Sequence, residues 1–80
     1  MELYRLKADC WATVTRIDLE GAMLQRVLDL GLTEGCRVMC VLPGYRGGPA
    51  AYLIRGAVIA LRQRDALRIR VREEDGHGPA

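Results

Sequence analysis

The fold is constrained most by residues 56–71, GAVIALRQRDALRIRV, in which an apolar run is followed by strict alternation. After the run at 58–61, apolar residues return at every second position, at Leu67, Ile69 and Val71. A two-residue period places these side chains on one face of a strand and the intervening arginines on the other. The segment therefore predicts two short strands joined by a charged corner, in which Asp65 is expected to cap a turn.

The rest of the chain adds three strands and one helix to this pattern. Residues 10–17, 36–42 and 50–55 are rich in β-branched, aromatic and aliphatic side chains, which favours strands. Residues 21–30 change to a helical period, and Gly31 is placed to end that helix in a left-handed conformation. Five short strands with frequent turns predict a mainly β fold, a small closed barrel with one short helix inserted after the first strand.

The chain has 80 residues, of which 50% are hydrophobic and none is Phe. This length and composition predict one domain, residues 1–72, with an aliphatic core. The acidic, Gly- and Pro-containing residues 73–80 are predicted to form a disordered tail. We expect one core to contain Leu28, Val38, Ile54, Ile59 and Ile69. In the second strand, one face is expected to carry Cys36, Val38, Cys40 and Leu42.

The cysteines do not predict a metal site. Cys36 and Cys40 are four positions apart on a predicted strand, or roughly 13 Å at the usual rise per residue. This is too far for both to bind one ion at a metal–sulfur distance of about 2.3 Å. We therefore expect no cofactor and no metal ligands. Three cysteines without disulfide-scaffold spacing, and no apparent signal peptide, predict a cytoplasmic protein.

Four motifs, in order and at matching spacing, resemble the FeoA family. They are Leu6 with Ala12 and Val14, then RVLDLGLTEG at 26–35, YRGGP at 45–49, and the Gly-x-x-Ile-Ala-Leu-Arg pattern beginning at Gly56. Asp9 replaces the first glycine of the family pattern, and Asp is among the few residues that tolerate a positive φ. Glu34 replaces the usual proline, and Tyr45 and Gly48 also depart from the family's loop pattern.

The resemblance implies an SH3-like β-barrel and a cytosolic accessory protein of ferrous-iron uptake, not an enzyme. It also implies that the partner is a FeoB-type membrane transporter, bound through its cytoplasmic G domain. The family is associated with transition metal ions. An alternative is a free-standing SH3-like module of the type found in metal-dependent transcriptional repressors, or a general protein-interaction domain. We expect no membrane insertion, and self-association stays open.

Two surfaces are candidates for partner binding. The Gly- and Pro-rich loop 43–49 should expose Tyr45 and Arg46, which are residue types that often dominate protein interfaces. The second candidate is an arginine strip formed by Arg68, Arg70 and Arg72, which could meet an acidic protein surface or remain a solvated face. Nucleic acid is not expected, because the strip lacks interleaved aromatic residues.

Overall fold

A computed structural model of the protein describes residues 1–74. It contains five strands in one antiparallel sheet, in the order β4-β3-β2-β1-β5. The strands are β1 Trp11–Ile17, β2 Arg37–Leu42, β3 Ala50–Ile54, β4 Ala57–Leu61 and β5 Ile69–Glu73. The helices are α1 Gly21–Asp29, the short α2 Gln63–Ala66, and a 3₁₀ turn at Leu3–Arg5. The predicted mainly β architecture, with one helix after the first strand, is confirmed.

The sheet does not close by pairing its end strands, since β4 and β5 lie at opposite ends of the strand order within residues 1–74. The outer edge of β5 is instead covered by the start of the chain. Met1 and Val71 exchange two hydrogen bonds, of 2.9 Å from the terminal amine and 2.7 Å from the Val71 amide. The chain therefore protects one edge of its own sheet, the kind of edge that otherwise invites pairing with another chain.

The core is aliphatic, as expected, with one buried tyrosine. Of the predicted core residues, Val38, Ile54 and Ile69 are buried, and Ile59 is half-buried against them. The prediction for Leu28 is wrong: its side chain is 38% exposed, whereas that of Val27 is 1% exposed. A helix rotates by about 100° per residue, so a short helix lying on a sheet buries a narrow stripe, here centred on Val27.

Helix α1 ends as its glycine predicted. Gly31 has a φ of 99°, and its amide donates to the carbonyl of Leu28. The amide of Leu32 donates to the carbonyl of Val27, and both of these side chains are buried. This hydrogen-bond pattern with its apolar contact is a Schellman motif, which turns the chain back into the core. In addition, Arg55 donates a 3.0 Å hydrogen bond to the carbonyl of Gly31.

Three local predictions from the sequence are wrong. Leu42 does not share the inward face with Val38 and Cys40, because a register shift between Cys40 and Leu42 leaves it 62% exposed. Cys36 precedes β2 instead of beginning it. Asp65 lies inside α2, where no side chain caps the helix among the described residues, so the predicted cap is wrong.

Asp9 and residues 73–74 lie near the two ends of the described chain, and each bears on a prediction made from the sequence. Asp9 has a φ of 65°, which confirms that this aspartate adopts the positive φ of the glycine it replaces. Glu73 lies in β5, and the amide of Glu74 donates to the carbonyl of Trp11, so the sheet extends past the expected boundary at residue 72. The remainder of the predicted tail, 75–80, lies outside the described residues.

Candidate protein-interaction surface

Two hydrogen bonds at Gly48 hold the 43–49 loop, one from a distant side chain and one that closes the turn. The hydroxyl of Tyr4 donates a 2.7 Å hydrogen bond to the carbonyl of Gly48, and the Gly48 amide donates to the carbonyl of Tyr45 at 3.0 Å. Gly44 lies against the Tyr4 ring, and a Cβ at position 44 would also come within 2.6 Å of the Gly48 carbonyl oxygen. The loop therefore needs glycine at position 44 because of close approach, and it is anchored to the 3₁₀ turn.

The anchored loop presents Tyr45 and Arg46 at its tip. Arg46 and Gly47 adopt consecutive positive φ angles of 54° and 80°, which turn the chain sharply. Tyr45 is 77% exposed, and the Arg46 guanidinium lies 5.4 Å from the centre of its ring. The predicted exposure of both side chains is confirmed. At this distance the guanidinium is attracted to the face of the ring, and both side chains remain exposed to solvent.

The arginine strip is partly neutralised by neighbouring carboxylates. Arg70 and Arg72 lie on the outward face of β5, and Arg68 precedes the strand, 3.7 Å from a carboxylate oxygen of Glu20. The register places Arg70 opposite Arg16 of β1, which in turn pairs with Asp18 at 3.2 Å. Arg16 thus extends the basic surface, a residue that the sequence did not assign to it. No hydrogen bond or ion pair joins this strip to Tyr45 or Arg46 within residues 1–74.

The outward face of the sheet carries an apolar row that the strand patterns did not predict. Neighbouring strands pair Trp11 with Met39, Met39 with Leu53, and Leu53 with Val58. Val58 is 62% exposed, and the other three side chains are half-buried. The available signal was that β3 and β4 are apolar on both faces, AAYLI and AVIAL, which is unusual for strands with one solvated face. We call these four residues the apolar row.

One end of the apolar row is covered by an ion pair. The Arg37 guanidinium lies 4.3 Å from the centre of the Trp11 ring and is held there by two hydrogen bonds to Glu74, of 2.7 and 3.0 Å. The Glu74 carboxylate raises the pKa of Arg37, and the Arg37 guanidinium lowers the pKa of Glu74. The Trp11 ring is therefore stacked against the Arg37 cation. An open depression lined by Leu53 and Arg55 lies next to it.

The cysteines are arranged differently from the pair considered in the sequence. Continuing the β1–β2 register by one step brings Cys10 opposite Cys40, and the Cys40 amide donates to the Cys10 carbonyl at 3.1 Å. Burial raises the pKa of the Cys40 thiol, with smaller contributions from Cys10 and Asp9. Across residues 1–74, no three His, Cys, Asp or Glu side chains are grouped as a metal site would require. The absence of tightly bound iron or zinc stays a prediction.

The model of the FeoA domain family matches residues 1–73. None of the curated protein sequences searched gives a significant match. Among residues 1–74, no helix is both long and apolar enough to span a membrane.

Solved structures show the same fold. Iron(II) transport protein A from Clostridium thermocellum has a TM-score of 0.87 and 28% identity over 95% of this chain, which spans about half (47%) of that protein. The FeoA protein from Chlorobium tepidum has a TM-score of 0.84 and 30% identity, with 100% and 79% of the two chains covered. FeoA from Stenotrophomonas maltophilia, an SH3 domain protein in complex with zinc, has a TM-score of 0.76 and 29% identity over 89% and 88%. The SH3-like fold class is thereby confirmed.

A manganese-dependent transcriptional repressor shares the fold as well. Its TM-score is 0.82 at 23% identity, over 92% of this chain and 41% of the repressor. At this identity the likeness shows a common fold alone. The same fold is therefore found in iron-transport proteins and in a repressor, and the fold by itself does not distinguish these functions.

Proposed function

The chain belongs to the FeoA family, and on that premise we propose that it is an accessory protein of ferrous-iron uptake. Its proposed partner is the cytoplasmic G domain of a FeoB-type membrane transporter, which places the protein in the cytoplasm. The relatives named for iron(II) transport and for FeoA support this assignment. In this proposal the protein carries out no reaction itself and acts by binding.

One observation carries the docking proposal: Tyr45 and Arg46 are stacked on each other at the tip of an anchored loop. A rigid ring and a planar cation bury a large area for little lost entropy, which is why these residue types dominate many interfaces. The loop supplies the contact, and the arginine strip of Arg68, Arg70 and Arg72 adds a long-range attraction to acidic surfaces. That attraction accelerates encounter more than it prolongs the complex.

Regulation then requires that the domain distinguish conformations of the transporter. A ligand shifts a conformational equilibrium only by the difference between its affinities for the two states. We infer that the 43–49 loop meets a surface whose shape changes between those states. The anchored, preorganised loop suits this task, because a flexible loop would adapt to both conformations and discriminate less.

The test is a titration of the purified cytoplasmic domain of the transporter with the double variant Tyr45→Ala/Arg46→Ala. We expect unchanged folding and at least about a tenfold loss of affinity, which corresponds to removing about 1.4 kcal/mol of binding free energy. Lys7→Ala removes an exposed positive charge outside the loop and serves as the control. Wild-type affinity in the double variant would exclude the loop as the docking site.

A further inference from the structure

The outer edge of β4 carries backbone groups that no strand satisfies. The two-residue turn Arg55–Gly56, with φ angles of 49° and 84°, joins Ile54 to Ala57. Turns of this kind close on a hydrogen-bonded pair, and bonded and non-bonded pairs then alternate along the ladder. The N–H and C=O groups of Val58 and Ala60 therefore point away from β3. Within the described chain, β3 is the one sheet neighbour of β4.

Within residues 1–74, this edge also lacks the usual protection against pairing. The strand AVIAL contains no charge and no proline, and Val58 is 62% exposed. Natural proteins protect free edges with charged residues, proline, bulges or a covering segment. The opposite edge, on β5, is covered by residue 1 through its two hydrogen bonds with Val71. Among the described residues, the β4 edge is thus the unprotected end of the sheet.

A basic groove runs beside the second half of this edge. It has a volume of about 350 Å³ and is lined by Met23 and Arg26 of α1, by residues 60–62, and by Arg64 and Asp65 of α2. It contains three guanidinium groups and one carboxylate, and none of these four takes part in an ion pair within residues 1–74. Met23 and Leu61 contribute apolar atoms to the lining, and the three exposed arginines form a positively charged rim. We call it the β4 groove.

We propose that the β4 groove binds an extended, acidic segment of a partner protein by adding it to the sheet as a sixth strand. The segment would exchange backbone hydrogen bonds with Val58 and Ala60 and direct carboxylates towards Arg26, Arg62 and Arg64. Backbone pairing supplies affinity in this mode of recognition, and alternate side chains supply specificity. An acidic segment fits better than a second copy of this chain, because two copies would bring positively charged rims together.

This assignment goes beyond the proposed transporter docking, since it concerns a different surface and holds for any protein that carries such a segment. The probe is a capped heptapeptide of alternating Glu and Val, and a Lys/Val heptapeptide is its control. Amide hydrogen exchange by NMR reads out the pairing. We expect the acidic peptide to slow exchange about tenfold or more at Val58 and Ala60, while Ala57 and Ile59, already bonded to β3, change little.

Two variants separate strand addition from nonspecific attraction. Ala60→Pro removes an edge N–H that the sheet does not use, so we expect the fold to persist and peptide binding to fall. Arg62→Glu should weaken peptide binding about tenfold at low salt. Lys7→Glu reverses an exposed positive charge outside the groove, and we expect it to leave peptide binding nearly unchanged.

Three results would overturn the proposal: equal binding of the Lys/Val peptide, no slowing of exchange at Val58 and Ala60, or full peptide affinity in Arg62→Glu. If Ala60→Pro does not fold, the exchange pattern of the wild-type protein and the Arg62→Glu variant still test the proposal. Protection of the same two amides without peptide, together with concentration-dependent dimers, would assign the edge to a second copy and refute an acidic occupant. None of these outcomes depends on Tyr45 and Arg46, so the transporter docking is tested separately.

Discussion

The hydroxyl of Tyr4 and the carbonyl of Gly48 are joined by a 2.7 Å hydrogen bond across 44 positions of sequence. This bond connects the 3₁₀ turn at the start of the chain to the loop that exposes Tyr45 and Arg46. It lies outside the regular hydrogen bonds of the sheet and adds an anchor from a distant segment to the turn that the Gly48 amide closes with the Tyr45 carbonyl. The loop is therefore a preorganised element, where its composition alone would favour a mobile connection.

Tyr4→Phe should loosen the loop without unfolding the domain. The change removes the donor to Gly48 and keeps the ring, so we expect a loss of about 1 kcal/mol in the free energy of unfolding. Faster amide exchange at Gly48 would show the loosening directly, because its amide closes the turn with Tyr45. Tyr45→Phe is the matched control, since Tyr45 is 77% exposed and should change neither measurement. Equal behaviour of the two variants would contradict the anchoring.

Val27→Ala and Leu28→Ala should differ sharply in stability. Val27 is 1% exposed and centres the buried stripe of α1, whereas Leu28 is 38% exposed. Removing two buried methyl groups costs roughly 2 kcal/mol, and a change at an exposed site stays within about 0.5 kcal/mol. Urea unfolding of the two variants measures both values. A larger loss for Leu28→Ala would mean that the helix docks through the other face.

Ionisation of Tyr52 should destabilise the protein at alkaline pH. Its side chain is fully buried, and burial raises its pKa above the ordinary value for tyrosine. A group whose pKa is raised by folding contributes its stability below the pKa of the unfolded state, about 10, and loses it as pH rises further. The free energy of unfolding should therefore decline above about pH 10. In Tyr52→Phe this part of the decline should disappear, and an unchanged alkaline profile would refute the assignment.

Trp11 should report the protonation of Glu74. The Arg37 guanidinium lowers the pKa of Glu74, so the ion pair is present at neutral pH and is lost as pH falls below the ordinary glutamate value. Arg37 would then leave the Trp11 ring, and the fluorescence of this single tryptophan should change with an acidic midpoint below about 4.3. Glu74→Gln should abolish that transition, and its survival in the variant would trace the signal to another group.

Patterns along the sequence were sufficient to predict those features that depend on neighbouring residues. Alternation in the strands placed Val38, Ile54 and Ile69 inward, and glycine at position 31 predicted the left-handed end of α1. Asp9 has a positive φ, as expected for a small polar residue that replaces a glycine of the family pattern. These preferences arise from local backbone sterics and from the two periodicities of side-chain direction, so they can be read within a few residues.

Which surfaces these elements present depends on contacts between residues that are distant in the chain. Leu42 leaves the core because a register shift follows Cys40, and Val27 replaces Leu28 because the sheet accepts only a narrow stripe of the helix. The apolar row joins Trp11, Met39, Leu53 and Val58 from four strands, and Tyr4 meets Gly48 across 44 positions. Register and docking angle are set jointly by packing among residues distant in the chain, and a one-residue slip would reverse every face. Strand register and helix docking angle therefore cannot be predicted from patterns within a few residues.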